Sequence, residues 1–332
     1  MRKEIKPANK LHTKSIIIDG LNISDWDREI FSKLKIGGIT AVNATTACWE
    51  NFRDSIRNIE KWNRRFETFS DYIIPIRNVK DILKAKKIGK TGIIIGFQNT
   101  TPIEDDINLL RIFKDLGVRI IQLTFQDRNY VGDGCWEKTD AGLSEFGLRV
   151  IKEMNRQGIL IDLSHAGDKT VIEAIEASEK PVAFTHANPR SLKDNPRNKT
   201  DEQILSIADK GGVIGTTLYP PLLSAGYKSE LNDFLDVIDY LVELVSADHV
   251  GIGSDFTENQ PKEFFTDALT GKSWEKPLSK VKYPIIYPKR IRSATEFSNI
   301  TEGLVKRGYA NKDVKKIMGE NWLQLYSNVW KN

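Results

Sequence analysis

The chain has 332 residues, of which 40% are hydrophobic and 28% are charged, as is usual for a globular protein. Its net charge is only +4, and most Lys and Arg alternate with Asp and Glu along helical stretches, so nothing indicates nucleic acid as a partner. No apolar run is long enough to span a bilayer, and the basic start of the chain lacks the apolar stretch of a secretory signal. Composition therefore predicts neither a nucleic-acid-binding protein nor a membrane protein.

Only two cysteines are present, Cys48 and Cys135, and they are far apart without the spacing of a metal site. We expect free thiols rather than a disulfide, which fits a reducing cytoplasm. A homodimer is left open by the sequence.

Short apolar runs alternate with amphipathic stretches along the chain. The predicted strands are Ser15–Asp19, Ile39–Thr45, Gly92–Gln98, Arg119–Leu123, Leu160–His165, Val182–His186, Val213–Thr216 and Val250–Ile252. The predicted helices are Asp25–Leu34, Trp49–Phe69, Ile107–Leu116, Leu143–Arg156, Lys169–Ser178, Asp201–Lys210, Leu231–Val245, Ala294–Arg307 and Lys312–Trp330. This alternation predicts an α/β fold with a parallel sheet covered by helices, and the simplest closure is a (β/α)8 TIM barrel.

An open doubly wound sheet is the alternative fold, although the chain has no Gly-x-Gly-x-x-Gly turn of the dinucleotide-binding kind. We expect a single barrel domain over residues 1–332. It would carry an N-terminal arm over residues 1–14, a long loop or lid at about 257–290 and closing helices at about 294–330.

Two of the four histidines, His165 and His186, end neighbouring predicted strands. Residues at the carboxyl ends of parallel strands face the site in such folds, so we expect both imidazoles at one cavity, together with Gln98 and Asp255. Two imidazoles and an acid are suited to a zinc site with a nearby proton acceptor. The structural alternative is that each histidine caps its strand and that Asp255 caps the following loop.

Arg197 lies in a polar loop after the second of these histidines, where its planar guanidinium could bind a substrate carboxylate; a surface arginine is the alternative. Longer blocks surround these residues, namely Gly142–Gly147, Glu153–Arg156, Ile161–His165, Arg197–Asn198 with Asp201, Gly211–Gly215 and His249–Phe256. Together they resemble the membrane (renal) dipeptidase family, in order from about Ile16 to the C-terminal helix.

The resemblance implies an amidohydrolase-like, metallo-dependent-hydrolase barrel with two zinc ions that hydrolyses dipeptides and related amides. It implies that His165 and His186 hold the second zinc ion and that Asp255 transfers the proton. It also implies that Arg197, with Asn198 beside it, binds the substrate carboxylate.

Three departures from the family pattern stand out. Where the family has Asp-Gly-His-x-Asp, this chain has Asp19-Gly20-Leu21-Asn22-Ile23, so both ligands of the first zinc are replaced. Gln98 stands where the family has the glutamate that bridges the two metals, and Phe125 stands where it has a substrate-facing histidine. We therefore expect at most one zinc ion, between His165 and His186, with Gln98 and Phe125 among the substrate-binding residues.

Three functions remain open on these residues. The first is a dipeptidase-like hydrolase that acts on a small carboxylate-bearing amide. The second is a metal-free hydrolase or C–N lyase that acts on a small N-modified amino acid, and the third is a binding protein without catalysis. The retained imidazole pair beside an acid favours an enzyme, because binding alone does not require that arrangement.

Overall fold

The structure of the protein is a computed structural model that describes residues 7–265 and 282–330. Its strands are β1 (Ile18–Asn22), β2 (Ala41–Ala47), β3 (Ile73–Pro75), β4 (Thr91–Phe97), β5 (Val118–Gln122), β6 (Leu160–Asp162), β7 (Ala183–Phe184), β8 (Val213–Thr216) and β9 (Val250–Ile252). Its helices are α1 (Pro7–Lys14), α2 (Arg28–Ile36), α3 (Phe52–Thr68), α4 (Val79–Ile88), α5 (Leu109–Leu116), α6 (Glu145–Gln157), α7 (Asp168–Ala177), α8 (Asp201–Asp209), α9 (Leu231–Val245), α10 (Ser298–Lys306), α11 (Asn311–Lys315) and α12 (Asn321–Val329). A π-helical segment, Lys316–Glu320, joins α11 to α12.

All strand pairings among the described residues are parallel, and eight of the strands close into a ring. The order around the ring is β1, β2, β4, β5, β6, β7, β8, β9 and back to β1, where Asp19 pairs with Ile252. β3 pairs only with the start of β4. The predicted (β/α)8 TIM barrel is thereby confirmed, and the open sheet is wrong because the last strand pairs with the first.

Element boundaries depart from the sequence prediction at β1, β6 and β7. β6 ends at Asp162 and β7 at Phe184, so His165 and His186 lie three and two residues beyond their strands rather than at the strand ends. β1 begins at Ile18, later than predicted, so Asp19 lies inside the strand rather than at its end. Part of the predicted arm forms α1, because the His12 ring binds both Thr301 Oγ1 (2.7 Å) and the Gly37 carbonyl (2.8 Å). α4 was not predicted, although Asn78 caps it through a capping box.

Residues 266–281 of the predicted lid lie outside the described residues, so the lid stays a prediction. Within the part of the chain that the structure describes, no helix combines the length and the apolar character that a membrane crossing requires.

The floor of the barrel is apolar and is completed by the C-terminal helix. The indole of Trp322 on α12 enters the barrel, and its Nε1 donates a hydrogen bond to the Ile252 carbonyl at 3.0 Å. A Cβ added at Gly20, Gly215 or Gly251 would lie only 2.6–2.8 Å from this indole, so glycine is required at these close approaches. Around it pack Ile18, Ala41, Ile94, Ile120, Leu160, Ala183 and Val213.

A polar layer follows directly above this floor. Because strand side chains alternate, the residues two positions further along share the interior face, and four of these seven are polar and buried, namely Asn43, Gln122, Asp162 and Thr185. The other three are Gly20, Gly96 and Gly215. Such layers are usual in barrels of this class, but apolar side chains normally dominate them. The polar layer thus places hydrogen-bonding groups immediately beneath the mouth, where the candidate site lies.

Candidate active site

A cavity of about 750 Å³, its open mouth included, lies at the carboxyl ends of the strands. The cavity brings together five of the residues singled out in the sequence, namely Gln98, Phe125, His165, Arg197 and Asp255. Its other walls are Ile23, Gln126, Trp136, Asn195, Tyr219, Pro221, Leu222, Thr257, Phe264 and Phe265. This is the face on which TIM-barrel enzymes carry their active sites.

The two imidazoles contact each other directly. His165 lines the cavity, whereas His186, predicted at the same cavity, is not among its lining residues and lies fully buried against His165. The Nε2 atoms of His165 and His186 are 3.0 Å apart, and both side chains are buried. Burial, followed by the positive charge of Arg197, lowers the pKa of each imidazole well below its ordinary value of 6.5. Both rings are therefore neutral at pH 7, and one Nε2 donates a hydrogen bond to the other.

The polar layer below decides which imidazole is the donor. Asp162 accepts hydrogen bonds from the backbone N–H and the hydroxyl of both Ser164 and Thr185. Because the Thr185 hydroxyl gives its proton to Asp162, it accepts one from Nδ1 of His186 at 2.8 Å. His186 Nε2 then carries a lone pair and accepts from His165 Nε2–H. Nδ1 of His165 is left as a buried acceptor without a partner among the described residues.

Asp255 occupies a strained backbone position just after β9. Its φ of 56° lies in the left-handed region, which residues with a Cβ adopt only at a cost, Asn and Asp more readily than the others. The turn is held on both sides, since the Asp255 N–H donates to the Leu21 carbonyl at 2.9 Å and its own carbonyl accepts from the Tyr287 hydroxyl at 2.5 Å. Strain maintained by surrounding contacts is typical of functional sites.

Burial raises the pKa of the Asp255 carboxyl to about 7; the carboxyls of Asp19 and Asp162 raise it further, whereas Arg197 lowers it. Asp19 is itself buried, and its pKa is also raised to about 7 by burial, although it accepts bonds from the Ser254 N–H (2.7 Å) and hydroxyl (2.6 Å). At neutral pH Asp255 is thus divided between its acid and its base form, as a proton-transfer group requires.

Arg197 is held in place by the backbone that carries the imidazoles. One terminal nitrogen donates to the Ser164 carbonyl, and the other donates to the His186 carbonyl at 2.6 Å. Two of the five guanidinium N–H groups are thus used for positioning, and the remaining three are available to a ligand in the cavity.

The other predicted substrate-binding residues differ in their placement. Gln98 lines the cavity while its amide nitrogen donates to Thr45 Oγ1 at 2.8 Å, and Phe125 stacks on His165 with ring centroids 4.4 Å apart. Asn198 is not among the residues that line the cavity, and its amide nitrogen donates to the Lys193 and Leu222 carbonyls at 2.9 and 3.1 Å. A substrate contact by Asn198 therefore stays a prediction.

Several cavity residues were not identified from the sequence. Tyr219 follows β8 by three residues, so the strand-end rule that pointed to His165 could have found it. Phe264 and Phe265 lie in the loop predicted as a lid, where aromatic content was the available signal. Thr185 carries no comparable signal, because a threonine inside a strand is ordinary.

Comparison with known proteins identifies the family. Residues 6–270 match the membrane dipeptidase family (peptidase family M19). The chain belongs to this family. An amidohydrolase from Pseudomonas aeruginosa of known crystal structure is 44% identical, with 97% of this chain and 99% of that chain covered and a TM-score of 0.95.

More distant relatives include a metallopeptidase from Rhodobacter sphaeroides, solved with a phosphinate mimic of the dipeptide L-Ala-D-Ala. It is 19% identical with 95% of this chain and 100% of that chain covered, and its TM-score of 0.81 shows a shared fold. The dipeptidase tcpJ of Claviceps purpurea is 25% identical over 282 residues, which are 84% of this chain and 60% of that protein. The chain thus spans about 60% of the length of this curated relative.

The first zinc position implied by the family resemblance is apolar in this chain. The resemblance places Leu21 and Ile23 at its two ligand positions, and both side chains are buried and lack donor atoms. It places Gln98 where the family has the bridging glutamate, and a neutral amide cannot bridge two cations as a carboxylate does. These residues do not fit a two-zinc centre.

The second zinc position implied by the resemblance has two residues of a suitable ligand type, His165 and His186. Among residues 7–265 and 282–330, no group of three or more His, Cys, Asp or Glu side chains is placed to hold a metal ion. A zinc-bound histidine normally donates its second N–H to a protein acceptor or water. Nδ1–H of His186 has such an acceptor in the Thr185 hydroxyl, whereas Nδ1 of His165 has no hydrogen-bond partner within the part of the chain that the structure describes. The donor set therefore does not fit a complete zinc site.

Proposed function

We propose that this member of the membrane dipeptidase family hydrolyses small amides that carry a free carboxylate, such as dipeptides or N-acylated amino acids. The observation that carries the proposal is that Asp255 and Arg197 line the same cavity. Asp255 can accept or donate a proton at neutral pH, and Arg197 presents a planar cation. The names of the relatives, a dipeptidase and an amidohydrolase, support the same reaction class.

Each group has a distinct step in this reaction. Arg197 binds the substrate carboxylate and thereby sets the distance of the amide from Asp255. Ionised Asp255 accepts a proton from water as the water oxygen attacks the amide carbon. Protonated Asp255 then gives that proton to the nitrogen as the C–N bond breaks, which yields an amine and a carboxylate.

We further expect at most one zinc ion per chain, between His165 and His186. The proton transfer assigned to Asp255 does not depend on it. Metal-free hydrolysis and C–N lysis of an N-modified amino acid would use the same four side chains, namely His165, His186, Arg197 and Asp255. The incomplete donor set at the two imidazoles favours these reactions over a two-zinc reaction.

The direct test is an assay of the purified chain against a panel of dipeptides and N-acyl amino acids, with products identified by mass spectrometry. Hydrolysis is expected, and Asp255→Asn should abolish it. Asp209→Asn is the matched control, because Asp209 is an exposed acid at the end of α8 and is not among the residues that line the cavity. Products that lack the added water would indicate a lyase, and binding without turnover would indicate a binding protein.

A further inference from the structure

A small apolar cluster lies at the barrel mouth, separate from the two large clusters of the core. Ile23, Cys48 and Phe125 are buried in it, and Trp49 and Phe264 pack against them. Ile23 and Phe125 are two of the four residues that stand, by the family resemblance, in place of polar side chains; Leu21 and Gln98 are the other two. Two of the four departures thus contribute to one continuous apolar surface.

Two rings of this cluster, those of Phe125 and Phe264, form a wall of the cavity, and Trp49 supports it from behind. Phe125 stacks on His165 at 4.4 Å with 19° between the ring planes, and Trp49 meets the edge of Phe125 at 5.3 Å and 86°. Phe264 packs at 5.4 Å against Phe265, which also lines the cavity. Offset-stacked and edge-to-face contacts of this kind fix ring positions, so the wall is formed before a ligand binds.

Polar groups line the rest of the same cavity. Gln126 Oε1 and His165 Nδ1 are buried acceptors without partners among the described residues. Both residues line the cavity together with Arg197. Buried acceptors are normally paired, so a ligand that offers an N–H group here would remove a penalty that the empty site carries.

We propose that the apolar cluster of Ile23, Cys48, Phe125, Trp49 and Phe264 is a substrate subsite. It would bind a large apolar group, preferably aromatic, on the acyl side of the substrate amide. The substrate carboxylate binds Arg197, and the amide N–H meets the unpartnered acceptors. This inference rests on the proposed function, and it narrows the substrates to aryl-acyl or aromatic aminoacyl derivatives of a small amino acid.

Equilibrium binding by calorimetry, measured in the Asp255→Asn background so that the probes are not hydrolysed, tests the subsite separately from turnover. The probes are phenylacetylglycine and acetylglycine, which share the carboxylate and the amide N–H and differ only in the phenyl ring. We expect phenylacetylglycine to bind about 10- to 200-fold more tightly, the range that pocket discrimination between apolar groups reaches. Equal affinity of the two probes, or no measurable binding of the aromatic one, overturns the proposal.

A pair of variants locates the effect. Ile23→Asn should remove most of the difference between the probes while the affinity for acetylglycine stays nearly unchanged. Leu83→Asn makes a comparable change on the exposed face of α4 and should leave the difference intact. If both variants keep the full difference, the aromatic group binds elsewhere and the proposal is wrong. If Ile23→Asn does not fold, the comparison of the two probes with Ile23 in place decides whether the proposal holds.

The two proposals can fail separately. Tighter binding of phenylacetylglycine without hydrolysis of any amide would support the subsite and contradict the hydrolase. Hydrolysis of both probes with equal kcat/KM and equal affinity would support the hydrolase and contradict the subsite.

Discussion

Nδ1 of His186 lies 2.8 Å from the Thr185 hydroxyl, and that hydroxyl donates its own proton to a buried carboxylate. The contact fixes the tautomer of His186 and, through it, the direction of the hydrogen bond between the two imidazoles. Replacing the Thr185 hydroxyl with a methyl group should therefore change the tautomer of His186, although the packing of the site stays the same.

Thr185→Val should lower the free energy of unfolding by about 1–3 kcal/mol, because it leaves the buried His186 Nδ1–H without an acceptor. Nitrogen-15 NMR should show the proton of His186 redistributed between its two ring nitrogens. Thr185→Ser keeps the hydroxyl and is the control, so both properties should stay near wild type. If Val and Ser behave alike in both measurements, the hydroxyl does not set the tautomer.

The pH dependence of turnover should report Asp255. Since its pKa is raised to about 7 and its ionised form accepts the first proton, kcat/KM should rise with pH to a plateau with a midpoint near 7. Asp19→Asn removes one of the negative charges that raise this pKa and should move the midpoint to lower pH. An unchanged midpoint in that variant would show that the titrating group is not Asp255.

Asp19 should also couple folding to pH. Its pKa is about 7 in the folded chain against an ordinary 3.8, so it stabilises the fold fully below the lower value and loses that stabilisation as pH rises through 7. Relative to Asp19→Asn, wild-type stability should fall by up to about 1.4 kcal/mol per pH unit in this interval. Urea unfolding from pH 4.5 to 7.5 gives the difference directly, and a difference that is flat with pH would contradict the assignment.

Arg197→Lys should weaken both turnover and folding. A lysine loses the planar fork that binds a carboxylate, so kcat/KM should fall mainly through KM. From its place in a polar loop of the sequence, Arg197 is expected to affect turnover much more than folding. The structure adds the Ser164 and His186 carbonyls, and loss of those bonds should cost about 1–3 kcal/mol. Arg149→Lys, an exposed change on α6, is the control for both measurements.

Zinc content is a further property to measure. Elemental analysis of protein purified without chelators should give no more than one zinc ion per chain. Leu21→His, Ile23→Asp and Gln98→Glu together restore the donor types of the family pattern and should raise the ratio toward two, provided that the barrel geometry is retained. Two zinc ions in the unmodified chain would contradict our interpretation of these replacements.

Much of the site could be predicted because one rule covers it. Parallel strands bring their carboxyl ends to one face, so His165, Gln98 and Asp255 could be grouped from their positions after apolar runs. The same rule misplaced Asp19, because the apolar run Ile16–Ile18 starts before the strand does and its first residues precede the barrel wall.

What could not be predicted depends on contacts between distant parts of the chain. The tautomer of His186 follows from four hydrogen bonds to Asp162, none of which has a local sequence signal. Asn198 was grouped with Arg197 because the two are neighbours in sequence, but adjacent side chains in a loop turn to different partners. These hydrogen bonds join residues that are distant in sequence, so they can be identified only from the folded barrel.

The indole of Trp322 closes the barrel floor, and this makes the order of synthesis matter. Gly20, Gly215 and Gly251 leave a hole that no residue of the barrel strands fills. On the ribosome, all barrel strands are synthesised before Trp322. Until Trp322 is added, the barrel floor lacks the side chain that fills this hole. The barrel can acquire its final packing only after α12 has emerged, and a chain terminated before that helix would present an unsealed interior to chaperones and proteases.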